Sequence, residues 1–131
     1  MRKIPVALLL ILVVSSFIDG SPLKGTWQYL GGIYNGKKEG QPEGYILQRK
    51  YDDMHFSSYA LEKGTKPERY EAGDYTLKGD TCIEIQSYSS QPSKLKNIAV
   101  RYVFTIRHDS LIFKGTLPTG MQVEEYWKRK K

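Results

Sequence analysis

Beyond residue 20, apolar residues recur at every second position, and Gly, Asp, Asn or Pro interrupts them every eight to twelve residues. No apolar stripe of helical period is long enough to bury a helix, so the pattern predicts an all-β chain. Eight strands are expected: Gly25 to Gly31, Gly44 to Tyr51, Met54 to Leu61, Arg69 to Leu77, Thr81 to Ser89, Asn97 to Arg107, Leu111 to Leu117 and Met121 to Arg129. Alternation is clearest in two of them. Ile98, Val100, Tyr102, Phe104 and Ile106 share one face, and Leu111, Phe113 and Leu117 another, and both sets are assigned to the interior. The strand from Thr81 is ambiguous, because Ile83 and Ile85 oppose Cys82, Glu84, Gln86 and Tyr88, and hydropathy alone turns the isoleucines inward.

Asp52-Asp53, Lys78-Gly79-Asp80, His108-Asp109-Ser110 and Pro118-Thr119-Gly120 are short and rich in turn formers, which predicts antiparallel hairpins between sequence neighbours. Asn35 to Glu43 and Gln91 to Lys96 read as longer rim loops. Eight up-and-down strands leave no sticky edge if they close into an antiparallel β-barrel, whose mouth can hold one small ligand.

The chain has 131 residues, enough for one domain, and with 40% hydrophobic and 26% charged residues it is too apolar for a disordered tail. A single cysteine, Cys82, excludes an intrachain disulfide framework and a multi-thiolate zinc site. Residues 1–20 read as an export signal: Arg2 and Lys3, an apolar run from Ile4 to Val14, then Ser15, Ser16 and Gly20, with cleavage placed after Gly20. The apolar run falls short of the ~20 residues that cross a bilayer, and no cysteine follows it to carry a lipid. Residues 21–131 are therefore expected to form a secreted or periplasmic domain with no membrane span. The net charge is +6, and the basic end Lys128 to Lys131 suggests an anionic partner. Export argues against nucleic acid, and a terminal charge run reads as a solvated tail.

Gly25-Thr26-Trp27 resembles the opening Gly-x-Trp strand of the lipocalin and fatty-acid-binding superfamily. Read with Tyr51-Asp52-Asp53-Met54-His55-Phe56, Gly73 to Thr81, Glu84, Tyr88-Ser89-Ser90 and Glu124 to Arg129, the chain resembles the short lipocalin-like domains of exported proteins from Bacteroidetes-type bacteria, from about Leu23 to Arg129. The resemblance implies an eight-stranded calycin-like barrel with no assigned activity, no cofactor and a ligand yet to be identified. It also implies that the face of Cys82, Glu84, Gln86 and Tyr88 turns inward, against hydropathy. Cys82 and Gln86 depart from the family's larger or more apolar residues there.

In a closed barrel the first and last strands adjoin, so Trp27 is expected to plug the closed end under Arg129 or Lys128. Spacing by two puts Glu125, Trp127 and Arg129 on one face. A buried Glu125 needs a partner, which Arg49 or His55 can supply. Arg49, Tyr51, His55, Glu84, Tyr88, Tyr102, Glu125 and Trp127 are thus the candidate cavity residues, a polar centre in an apolar cup. Equally, such groups can sit on the outer wall, or form a buried network that satisfies only itself. Cys82 reads as a small buried hydrophobe. With only His55 and His108 available, a metal site is not expected.

The leading expectation is a non-enzymatic binder of a small hydrophobic or amphipathic ligand. A barrel filled by its own side chains, acting in the cell envelope or on a protein partner of unknown identity, is the alternative. Paired carboxylates near a histidine also admit a hydrolase, but there is no nucleophile elbow to support it.

Overall fold

Alternation of side chains drives the chain into one continuous antiparallel sheet, seen in a computed structural model that describes residues 20–131. The export signal read at residues 1–20 lies, apart from Gly20, outside them. The strands are β1 (Gly25–Tyr34), β2 (Lys37–Gly40), β3 (Ile46–Tyr51), β4 (His55–Leu61), β5 (Glu68–Lys78), β6 (Thr81–Ser89), β7 (Ala99–Arg107), β8 (Ser110–Thr116) and β9 (Gln122–Arg129). From β3 to β9 each strand pairs with the next, and β1 pairs with both β3 and β9, which closes an eight-stranded barrel. Closure gives every strand of the wall two neighbours except β2, which pairs with β1 alone.

β2 is a correction to the rim loop expected at Asn35 to Glu43. Asn35 and Gly36, at φ 50° and 83°, form the left-handed corner that a tight hairpin needs, and β2 folds back on β1 from Tyr34↔Lys37 to Gly31↔Gly40. The lower half of β1, Gly25 to Gln28, pairs instead with β3. One edge of β1 is thus shared between two strands, and the connection Gln41 to Tyr45 passes between them.

Three bulges interrupt the alternation: at Leu30 in β1, opposite β9; at Tyr70 in β5, opposite β4; and at Ser87 in β6, opposite β5. Each extra residue inverts the in-out order of the rest of its strand. Gly73 lies beside the third, where a Cβ would come 2.1 Å from the Ile85 carbonyl oxygen, so only glycine fits.

The apolar core occupies one end of the barrel. Trp27, Tyr51, Phe56, Tyr75, Leu111 and Phe113 are buried there, and the segment before β1 tucks Leu23 underneath them. Trp27 donates its indole N–H to the Leu23 carbonyl at 2.8 Å, while the Arg129 guanidinium lies 4.2 Å from its ring. Trp27 and Arg129 face each other across the β1–β9 seam. Cys82 is fully buried. In β7 the inward set is Val100, Tyr102, Phe104 and Ile106, but Ile98 lies before the strand and is exposed.

Candidate functional site

In β6 the polar face turns inward: Glu84 and Gln86 are buried and Ile85 is exposed, so hydropathy misreads this strand. Two buried carboxyl and amide groups on one strand require partners. Arg49, projecting inward from β3, uses Nη2 to donate to Glu84 Oε1 at 3.0 Å and to Glu71 Oε1 at 3.1 Å. Tyr51, two residues on, donates to Glu84 Oε2 at 2.5 Å. Glu71 also accepts from Gln86 Nε2 at 2.7 Å and from the Ser58 hydroxyl at 3.3 Å. The network thus joins β3, β4, β5 and β6 at mid-height. Burial lifts the Glu84 carboxyl, while Arg49 and the Tyr51 hydroxyl pull it back. Burial likewise lifts the phenol of Tyr102, which packs against Phe113 with ring centroids 5.3 Å apart.

Above this network the interior is open. A cavity of about 460 Å³ is bounded by Arg49 and Glu71 below, by Tyr29, Tyr34, Glu125 and Trp127 along the β1–β9 seam, and by Tyr70 and Leu47 opposite; Glu39, Gly40, Pro42 and Tyr45 form its rim. The Tyr34 hydroxyl donates to Glu125 Oε2 at 2.9 Å and lies 2.5 Å from the Tyr29 hydroxyl. Tyr29 in turn packs edge-on against Trp127. Gly32 leaves room for this arrangement, since a Cβ there would sit 2.8 Å from the Tyr34 hydroxyl. Glu125 touches the cavity but has protein on most sides, and this burial raises its carboxyl above the usual range. Arg49, Tyr34 and Trp127 oppose that rise, and Glu71 reinforces it. The Trp127 indole N–H is close enough to bias Glu125 yet makes no formed hydrogen bond, and Arg49 Nε is also buried without a partner.

Because folded Glu125 holds its proton more tightly than the unfolded chain, it favours folding most at acid pH. That contribution is lost as pH rises from about 4.5, the ordinary value, through the higher folded one. A Glu125→Gln variant is expected to melt higher than the parent at neutral pH, and to show a flatter decline of Tm over this interval. Parallel Tm profiles for the two proteins would contradict it.

Arg49, Tyr51 and Glu84 therefore meet in one network, Glu125 and Trp127 line the cavity beside it, and Tyr102 packs near its floor. Arg49 hydrogen-bonds Glu84 and Glu71, and Glu125 is held by Tyr34. Two expected members are elsewhere. His55 points outward with its side chain 60% exposed, its ring nitrogens 3.4 Å from Asp52 and Asp74, because Phe56 and Ser58 take the inward positions of β4. Tyr88 is exposed and stacks under Arg69 at 4.5 Å, because the bulge at Ser87 reverses its side. Replacing His55 by alanine is expected to change stability by less than about 0.5 kcal/mol, as for a surface site, measured by urea denaturation. Glu71, Tyr29, Tyr34 and Tyr70 are further site residues: Tyr29 and Glu71 are in phase with the buried Trp27 and Tyr75, whereas Tyr34 and Tyr70 reach the cavity only through the bulges at Leu30 and Tyr70. Among the described residues, no group of His, Cys, Asp and Glu could hold a metal ion.

No family model matches the chain, and no curated protein matches it. Among solved structures, a redesigned beta barrel aligns at a TM-score of 0.49 and 20% identity, over 83% of this chain and 92% of its own. A mutant of the fluorescent protein UnaG aligns at a TM-score of 0.41 and 10% identity, over 82% of this chain and 96% of its own.

Proposed function

We propose that this chain is an exported, lipocalin-like binding module without enzymatic activity, which takes a small, partly apolar ligand with a polar head into the open end of its barrel. One observation carries the reading: the barrel is packed at one end only. A cavity of about 460 Å³, walled by aromatic rings and floored by a polar network, remains at the other. This volume falls within the range of small-molecule sites, and apolar walls with a few convergent polar groups are their usual make-up. The commitment of Glu84 to Arg49 and Tyr51 favours binding over catalysis, since a carboxylate so held is poorly placed to move a proton.

Native mass spectrometry of protein purified from its own host tests the proposal, together with uptake of the neutral dye Nile red. A stoichiometric adduct, or dye fluorescence that saturates at one equivalent, is expected. Absence of an adduct, of dye uptake and of any thermal shift with lipids or small aromatic acids would overturn it in favour of a filled barrel with a role in the envelope.

A further inference from the structure

The charges around the cavity are unbalanced. Glu39, Glu71 and Glu125 line it against a single cation, Arg49, which already serves Glu71 and the buried Glu84 behind it. This acidic wall lies inside a chain whose net charge is +6, so it is a local arrangement and not a reflection of composition. The remaining wall is aromatic, and the faces of tyrosine and tryptophan attract cations when water is excluded. A second feature points to an occupant. Tyr29 packs edge-on against Trp127 and its hydroxyl meets that of Tyr34, which donates to Glu125, so aromatic rings and a carboxylate converge on one part of the wall.

Resting on the cup reading above, we propose that the ligand is a small organic ammonium ion. Its cationic head lies at Glu125, between the Tyr34 hydroxyl and the rings of Tyr29 and Trp127. Glu39, at the exposed rim, adds attraction during entry.

Isothermal titration with three probes of one body and different heads tests this: tyramine (ammonium), tyrosol (neutral alcohol) and 4-hydroxyphenylacetate (anion). Tyramine is expected to bind about tenfold or more tightly than tyrosol, with the anion weakest and the tyramine affinity falling as salt rises. Glu125→Gln should remove about tenfold of the tyramine affinity while leaving tyrosol within about twofold, as expected for loss of one charge at the head. Glu39→Gln, an exposed change that cannot disturb packing, should weaken tyramine about twofold and reduce its salt dependence. Equal or tighter binding of tyrosol or the anion overturns the cation assignment. So does failure of all three probes while Nile red still enters, and in both cases the cup reading survives. Failure of the probes and of Nile red, with no native adduct and no thermal shift, overturns both readings.

Discussion

Replacing Arg49 by methionine will cost the barrel about 3–5 kcal/mol, the usual effect of removing one partner from a buried ion pair. Arg49 is 7% exposed and Glu84 4%, so neither charge can fall back on water. The two carboxylates it serves are not equally dependent on it. Glu71 keeps hydrogen bonds from Gln86 and Ser58, whereas Glu84 keeps only the Tyr51 hydroxyl and a weak contact with the Cys82 thiol. The loss therefore falls mainly on Glu84. Adding Glu84→Gln to Arg49→Met removes the stranded charge and preserves an acceptor for Tyr51, so the double variant should recover much of the stability. Urea denaturation of the four proteins in this cycle measures the coupling. A double variant as unstable as the sum of its singles would show that the pair contributes little to the fold.

Trp27→Ala should be of similar size, about 3–5 kcal/mol, because a fully buried indole leaves a large hole when truncated. In a domain of this length that corresponds to a fall in Tm of roughly 10–25 °C. Three contacts go with the ring: the hydrogen bond that holds the Leu23 carbonyl, the packing of Leu23 itself and the cation–π contact with Arg129. An Arg129→Gln variant should lose far less, because it removes only the last of these from a partly exposed position. Unchanged melting of Trp27→Ala would mean that the closed end is not held from β1.

The strands, their order and the closing pair are legible because they obey rules of period two and the requirement that a barrel leave no edge. Trp27 under Arg129 is such a case. Part of the site is not legible, chiefly for one physical reason. Counting by twos from Trp27 and Tyr29 puts Tyr34 outside, and only the extra residue at Leu30 brings it in beside Glu125. The bulge at Tyr70 lets Tyr70 and Glu71, neighbours in sequence, both reach the cavity. At Ser87 the same device expels Tyr88. A bulge carries little local signature, so a periodic count drifts out of phase wherever one occurs. Two other differences have visible signals. Asn35-Gly36 is a strong hairpin dipeptide, masked because Lys37 to Gly40 lacks apolar residues. The chemistry of His55 suggests an inward place, although Phe56, beside it, is the apolar residue of that pair. In β6 the inward polar face is implied by resemblance alone, since hydropathy favours Ile83 and Ile85.

The division of β1 between two neighbours sets apart what holds the protein from what gives it selectivity. Its lower half is bonded into the packed base, while its upper half carries β2 and, with it, Glu39, Gly40 and the link through Pro42 and Tyr45 that rims the cavity. A designer could recast that lip, in length or in charge, to suit a different guest and leave the foundation undisturbed.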